Sequence, residues 1–224
     1  MKHQKYLLFD FDGPILDVKR KYHRVYSDIL RSFSFSPLDE TDYWTCKRNK
    51  VPDFDILRRS QAESILEKYW SLREGVIETK GYLDLDELQN EVQDVLGTLH
   101  ERYKLVLVTM RTSPEGVNYQ LREHGLTGFF SNVLCSGSNQ KLHNAHRSKW
   151  EIKYAMVSKY LLRENQTVNS IVAMVGDTET DIRCAQALGC KSFACESGIR
   201  TSELLAKESP DFVLKELRPL LNSL

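Results

Sequence analysis

The chain has 224 residues, of which 41% are hydrophobic, and its 31 basic and 31 acidic side chains leave no net charge. This balance provides no overall field that would favour nucleic acid or an anionic membrane, so any anion must be recognised locally. The five cysteines are odd in number and include no C-x-x-C pair, which argues against a disulfide framework or a zinc site. The chain has no secretory signal pattern and no apolar run long enough to span a membrane, so we expect a reduced, cytoplasmic protein.

The first predicted element is a short buried strand that ends in a pair of acids. The apolar residues Tyr6-Leu7-Leu8-Phe9 lead directly to Asp10 and Asp12, and Gly13-Pro14 then turns the chain away. In an open parallel sheet the carboxyl end of a strand borders the ligand-binding crevice. Two acids this close repel each other unless a cation or a shared proton intervenes, which suggests a metal-binding or proton-transfer role.

A helical insertion is predicted after this strand. Apolar residues at helical spacing, from Tyr22 to Phe33 and again from Ala62 to Trp70, mark two amphipathic helices, and no convincing strand pattern lies between Asp17 and Gly81. We therefore expect a small all-helical domain at 17–83. The flanking segments, 1–16 and 84–224, would form one α/β core.

The remainder alternates between strands and helices. A helix is predicted from Leu88 to Leu99, followed by a helix that begins at Ser113-Pro114, a third from Lys149 to Arg163 and a fourth from Asp181 to Leu188. The predicted strands are 104–109, 131–135, 171–175 and 191–195, with an edge strand at 212–214 and a polar loop at 136–147. This alternation predicts an α/β fold of doubly wound, three-layer type, in which helices cover both faces of a parallel sheet.

A second acidic cluster follows the strand at 171–175, in the segment Gly176-Asp177-x-x-x-Asp181. Together with Asp10-Phe11-Asp12-Gly13, Thr109 at a strand end and a lysine that begins a helix, it resembles the four motifs of the haloacid dehalogenase superfamily. The resemblance covers essentially the whole chain and implies a Rossmann-like core with a helical cap between the first and second motifs. It also implies a hydrolase of the phosphatase type.

The resemblance implies a role for each motif residue. Asp10 would be the nucleophile that forms an aspartyl phosphate, and Asp12 would be the general acid and base. Thr109 and Lys149 would bind phosphoryl oxygens. Lys149 is preferred because it begins its helix, and Lys153, one turn later, is the alternative.

The implied cofactor is Mg²⁺, which favours oxygen ligands in octahedral geometry. Its expected ligands are the Asp10 carboxylate, the Asp12 main-chain carbonyl and Asp177, with Asp181 acting through water. Arg111, two residues after Thr109, and Arg48, in a basic cluster of the insertion, are the residues expected to meet the substrate. The alternatives are that Arg111 is a surface residue and that the cluster of Arg48 is a solvated charged face.

These expectations predict a phosphatase that acts on a small phosphorylated metabolite, with no nucleic-acid or membrane partner. A phosphotransferase or mutase that uses the same aspartyl phosphate is the main alternative, and a non-catalytic interaction protein is a second. A dehalogenase would also use an aspartate nucleophile but would need neither Asp12 nor a divalent cation. The sequence does not separate phosphatase from mutase, and it does not identify the substrate.

Overall fold

The computed structural model describes residues 4–137 and 148–224. Its centre is a sheet of six parallel strands: β1 (Tyr6–Phe9), β4 (Lys104–Thr109), β5 (Phe130–Cys135), β6 (Ile171–Gly176), β7 (Lys191–Cys195) and β8 (Phe212–Leu214). Their order in the sheet is β5-β4-β1-β6-β7-β8. The predicted doubly wound α/β core is confirmed, with the strand of the first acid pair at its centre.

Helices cover both faces of the sheet. Successive side chains of a strand point to opposite faces, so the apolar side chains of a buried strand need a covering layer on each side. In β1, Leu7 and Phe9 join the apolar cluster on one face, whereas Tyr6 and Leu8 join the cluster on the other. The first cluster includes α6 (Val92–His100), α7 (Pro114–Glu123) and α11 (Leu220–Ser223), and the second includes α8 (Lys149–Arg163) and α9 (Glu179–Leu188). A short helix, α10 (Ser202–Ala206), precedes β8.

The strand register brings the predicted catalytic segments to one edge of the sheet. Phe9 pairs with Leu107 in β4 and with Val175 in β6. The residues that follow these three strands therefore emerge side by side. They include Asp10 and Asp177, which is the arrangement that a shared site requires.

The segment between β1 and β4 is mainly helical. Its helices are α1 (Lys19–Ser32), α2 (Glu40–Arg48), α3 (Asp53–Arg59), α4 (Leu66–Val76) and α5 (Lys80–Leu83), with a 3₁₀ turn at Glu63–Ile65. They enclose an apolar cluster of their own around the stacked rings of Tyr26 and Tyr43. A two-residue antiparallel pair, β2 (Leu16–Asp17) with β3 (Glu87–Leu88), joins the start and the end of this segment.

Three local details differ from the sequence prediction or extend it. Leu88 lies in β3, and the helix predicted from it begins only at Val92. Helices α2 and α3 were not predicted, because they are rich in charged residues and each buries only two side chains. The predicted loop at 136–147 lies outside the described residues from position 138 onward. Within the described ranges, no helix is both long and apolar enough to cross a membrane.

Candidate active site

Three buried carboxylates meet at the carboxyl edge of the sheet. One oxygen each from Asp10, Asp177 and Asp181 lies within 4.8 Å of the others. Asp10 follows β1, Asp177 follows β6, and Asp181 lies in the first turn of α9. Thr178 caps α9, and its backbone N–H (3.1 Å) and hydroxyl (2.7 Å) both donate to Asp181. The cap therefore fixes the orientation of the Asp181 carboxylate.

A buried lysine ion-pairs with two of these acids. The Nζ of Lys153 lies 2.9 Å from Asp10 Oδ2 and 2.5 Å from Asp181 Oδ1, and the side chain is 1% exposed. The sequence preference was for Lys149, but the structure places that residue exposed at the start of α8. The physical reason is helix geometry: the first turn of α8 lies at the surface, and one turn later the same helix faces the sheet.

The electrostatics of the cluster suit a divalent cation. Burial and the neighbouring carboxylates raise the pKa of Asp10 to about 7, against the opposing effect of Lys153. Burial, Asp10 and Asp181 likewise raise the pKa of Asp177 well above its usual range. Buried carboxylates that repel one another favour a bound cation, and oxygen donors of this kind are those that Mg²⁺ prefers. The residues present therefore fit the Mg²⁺ site that the sequence predicts.

Two glycines allow the backbone to approach Asp177 closely. Gly13 has φ of +98°, and a Cβ on Gly13 or Gly198 would lie 2.2 Å or 2.0 Å from the Asp177 side chain. The backbone N–H of Ile199 donates to Asp177 Oδ2 at 2.6 Å. These contacts orient the Asp177 carboxylate within the cluster, and a larger residue at either glycine would displace it.

The carboxylate of Asp12 forms an ion pair with the Arg111 guanidinium. The guanidinium Nε donates to Asp12 Oδ1 at 3.0 Å, and Nη2 donates to the same oxygen. Burial alone would raise the pKa of Asp12, but the positive charge of Arg111, with a smaller effect from Lys21, lowers it to about 2. The Arg111 guanidinium also stacks on the Phe11 ring at 5.2 Å. Arg111, predicted to contact substrate, is thus 5% exposed and directed at Asp12.

Three buried residues that the sequence analysis missed complete this group. Asp86 Oδ2 accepts hydrogen bonds from Lys21 (2.6 Å), Gln120 (2.8 Å) and Arg111 (3.0 Å). Gln120 Oε1 accepts another hydrogen bond from Arg111 at 2.5 Å. A signal for Lys21 exists in the sequence, since it lies four residues before Val25 on the apolar stripe of α1. Asp86 and Gln120 stand in no comparable pattern.

The structure also places the remaining predicted residues. Thr109 is buried at the end of β4, and its hydroxyl accepts a hydrogen bond from the backbone N–H of Arg111 at 3.2 Å. Arg48 donates to the main-chain carbonyls of Glu196 (2.8 Å) and Arg200 (3.1 Å), in the loop after β7. Its guanidinium therefore ties the helical segment to the core, and its Nη2 contacts protein carbonyls where substrate contact was expected.

A different cation of the helical segment lies near the site. The Arg73 guanidinium stacks over the ring of Tyr22 at 5.2 Å and over that of Trp70 at 5.5 Å. Tyr22 packs against the clusters of both the core and the helical segment. Burial and the negative charges of Asp12 and Asp177 raise the pKa of Tyr22, so this ring is within reach of the charge of both acids.

The comparisons with known proteins agree with this geometry. The family model described as haloacid dehalogenase-like hydrolase matches residues 7–195. Among curated proteins, the chain is 28% identical to a phosphoglycolate phosphatase of Aliivibrio fischeri, over 97% of this chain and 95% of that protein. It is 26% identical to a phosphoglycolate phosphatase of Vibrio cholerae, over 99% and 97% respectively.

A solved structure supports the same fold assignment. The crystal structure of a predicted phosphoglycolate phosphatase from Haemophilus somnus superimposes with a TM-score of 0.77 at 18% identity, covering 100% of this chain and 99% of that one. At this identity the likeness concerns the fold alone. The strand order, the acidic cluster at the strand ends and the match of the family model lead to one assignment. The chain belongs to the haloacid dehalogenase-like hydrolase family.

Proposed function

We propose that the protein is a Mg²⁺-dependent phosphatase that hydrolyses a small phosphomonoester through a phosphorylated Asp10. The observation that carries the proposal is the convergence of Asp10, Lys153, Asp177 and Asp181, which arrive from separate elements at one strand edge. The likeness to curated phosphoglycolate phosphatases over nearly the whole chain supports the same reaction class.

In this proposal Asp10 attacks the phosphorus atom, the bond to the leaving oxygen breaks, and an acyl phosphate forms on Asp10. Lys153 stabilises the carboxylate form of Asp10 and would neutralise phosphoryl oxygens as they approach. Asp181, which contacts Lys153, acts by holding that ammonium in place. The Thr109 hydroxyl would donate to a further phosphoryl oxygen.

Asp10, the main-chain carbonyl of Asp12 and Asp177 would hold the metal ion, with Asp181 acting through water. When bound, Mg²⁺ would neutralise charge on the cluster and on the transferred group. The raised pKa values of Asp10 and Asp177 show that their charged forms are destabilised by burial and by neighbouring carboxylates, and a bound cation would relieve this destabilisation. The chain's own residues supply every other part of the proposed mechanism.

Asp12 would serve both half-reactions. It would deliver a proton to the leaving oxygen in the first and take one from the attacking water in the second. The ion pair with Arg111 favours the carboxylate form, which is the form required for the second half-reaction. Proton delivery in the first therefore requires this ion pair to weaken when the substrate binds.

We further propose that residues 17–83 act as a cap over the site. Lys50 binds Glu179 at 2.7 Å and so joins the segment after α2 to the core, where Arg200 binds the same carboxylate at 3.0 Å. Glu78 accepts hydrogen bonds from the backbone N–H groups of Thr112 and Ser113, at 2.9 Å and 2.6 Å. Such contacts would hold the cap closed over a bound phosphomonoester and exclude water.

The leaving group of the substrate is proposed to carry a second negative charge. Within residues 4–137 and 148–224, Arg73 forms no ion pair with a carboxylate within 4.0 Å; the acid whose charge reaches it, Asp53, is paired with Lys47 at 3.0 Å. Lys149 is exposed as a residue, but partial desolvation of its ammonium group lowers its pKa. The positive charges of Arg73 and Arg200 lower the pKa of Lys149 further. Neighbouring cations that repel one another favour a bound anion. A carboxylate, such as that of the substrate named for the curated relatives, fits this requirement.

The test is to incubate the purified protein with Mg²⁺ and phosphoglycolate and to measure inorganic phosphate. We expect phosphate release that stops when Mg²⁺ is chelated. A parallel reaction with a sugar phosphate, followed for isomer formation, separates phosphatase from mutase. Isomer formation without phosphate release would favour the mutase, and binding without turnover of any phosphomonoester would favour a non-catalytic protein.

A further inference from the structure

The contacts of Arg111 suggest a specific role for this residue. Its guanidinium donates hydrogen bonds to the carboxylates of Asp12 and Asp86 and to the side-chain amide of Gln120. The side chain is only 4% exposed. A forked guanidinium that contacts two carboxylates fixes direction as well as charge, which an ammonium group does not.

The backbone that carries Arg111 is fixed as well. Its N–H donates to the Thr109 hydroxyl at 3.2 Å, and its carbonyl accepts from the Ser136 hydroxyl at 2.9 Å. The guanidinium rests on the Phe11 ring. The Arg111 side chain is thus restrained at both its backbone and its guanidinium end. Among Arg111 and the side chains that surround it, Asp12 is the partly exposed one that a substrate can reach.

Asp86 connects this group to the junction between core and helical segment. Asp86 immediately precedes β3, and Lys21 lies in the first turn of α1, so the two residues flank the β2–β3 pair through which the chain leaves and re-enters the core. A single carboxylate oxygen of Asp86 receives Lys21, Gln120 and Arg111. A buried ion pair of this kind costs desolvation and is a weak source of stability, which favours a role in fixing geometry.

We infer that Arg111 is a positioning residue for Asp12, and that Asp86, Lys21 and Gln120 hold the guanidinium in the orientation this requires. Arg111 acts on the reaction through Asp12 and does not contact the substrate. Movement at the β2–β3 junction would be transmitted to Asp12 through Asp86 and Arg111. This inference rests on the proposed phosphatase activity, because it assigns Asp12 its acid and base role.

A double-mutant cycle on Arg111→Lys and Asp12→Asn tests the inference. In the wild-type background we expect Arg111→Lys to lower kcat by about tenfold to a hundredfold, part of what a general acid or base contributes, with KM changed by less than about twofold. In the Asp12→Asn background the same substitution is expected to change kcat by less than about twofold. Asp86→Asn is expected to follow the same pattern, and the exposed Arg163→Lys is the matched control.

Equal losses of kcat in both backgrounds would overturn the inference, as would a rise in KM with kcat unchanged, which indicates substrate binding. If Arg111→Lys does not fold, the cycle with Asp86→Asn gives the same decision. The same double-mutant cycle in urea unfolding measures the contact between Arg111 and Asp12 without substrate. If the cycle shows coupling in stability but the wild type hydrolyses no phosphomonoester, the proposed function is contradicted. Arg111 then has no catalytic role, and its ion pair with Asp12 is only structural. An active wild type without coupling in kcat would contradict the inference alone.

Discussion

Lys153 and Asp10 form a buried ion pair at 2.9 Å, although one lies in α8 and the other directly after β1, far apart in the sequence. The same ammonium contacts Asp181 at 2.5 Å. Burial alone would lower the pKa of Lys153, but the negative charges of Asp10 and Asp181 outweigh burial and raise it. Lys153 is therefore a permanent cation next to the proposed nucleophile.

The first prediction concerns the two lysines of α8. Lys153→Met is expected to lower kcat for phosphomonoester hydrolysis by about a thousandfold or more, because it removes a charge that the transition state uses. Lys149→Met is expected to leave kcat within about threefold for a substrate with an uncharged leaving group, because Lys149 is exposed at the helix start.

Steady-state kinetics on the two purified variants, with circular dichroism to confirm folding, gives the comparison. Lys153→Met removes the positive partner of two buried carboxylates, Asp10 and Asp181, and is therefore also expected to lower the stability of the fold. A collapse of kcat in Lys149→Met with near-normal turnover in Lys153→Met would reverse the assignment of the lysine.

The second prediction concerns the metal ion. Mg²⁺ is expected to raise the melting temperature of the wild type, since a ligand present at about a hundred times its Kd adds about 2.7 kcal/mol to folding. Asp177→Asn should abolish this shift. Without Mg²⁺ the same variant should be at least as stable as the wild type, because it removes a buried charge that Asp10 and Asp181 repel.

Differential scanning fluorimetry with and without Mg²⁺ measures both effects. Glu115→Gln, at an exposed position in the first turn of α7 and outside the cluster of Asp10, Asp177 and Asp181, is the control for loss of one negative charge. An unchanged Mg²⁺ shift in Asp177→Asn would show that the ion binds elsewhere.

The third prediction concerns Glu179 and pH. Although burial opposes it, hydrogen bonds from Arg200 and Lys50 lower the pKa of Glu179 from 4.5 to about 2. A lowered folded-state pKa gives stability that is present above pH 4.5 and is lost as the pH falls toward about 2. Glu179→Gln should therefore destabilise the protein by about 1 kcal/mol at neutral pH and by progressively less below pH 4.5.

Urea unfolding of both proteins at neutral pH and near pH 3 (roughly the middle of the titration) measures this difference. Glu74→Gln, at an exposed position of α4, controls for the loss of an acid outside the contact. A stability difference that stays constant across the pH range would contradict an ion pair of Glu179 with Lys50 and Arg200.

The fourth prediction concerns selectivity. Arg73→Met should lower kcat/KM for phosphoglycolate by about tenfold, the cost of one charge-assisted contact, mainly through KM. For ethyl phosphate, which has no carboxylate, the change should be less than about twofold. The exposed Lys68→Met, on the same helix, is the matched control. Equal losses on both substrates would exclude Arg73 from recognition of a second anionic group.

Much of the core could be predicted because its signals are local. The apolar runs at 104–109 and 191–195 have the length and composition of buried strands, and each is followed by a helix signal. Helix α8 spans the predicted residues, and its start is fixed by Ser148 and Glu151, which form a capping box that the sequence carries. The acids at the ends of β1 and β6 followed from the same reasoning.

The details of the site could not be predicted in the same way. Lys149 and Lys153 lie one turn apart on the same face of α8, so choosing between them requires the position of that helix along its axis relative to the sheet, which the sequence leaves open. The role of Arg111 depends on Asp86 and Gln120, which come from different elements and show no shared pattern. Contacts of this kind arise from tertiary packing, and spacing along the chain does not reveal them.

The central claim is that Asp10 becomes phosphorylated, and the most direct test is to trap that species. The wild type and Asp10→Asn are mixed with phosphoglycolate and Mg²⁺, quenched in acid within the first turnover and digested for mass spectrometry. We predict a phosphoryl group on the wild-type peptide that contains Asp10, absent after Mg²⁺ chelation and absent in Asp10→Asn, which should also release no phosphate. Phosphate release by Asp10→Asn at the wild-type rate, or a phosphoryl group on another residue, would contradict the account.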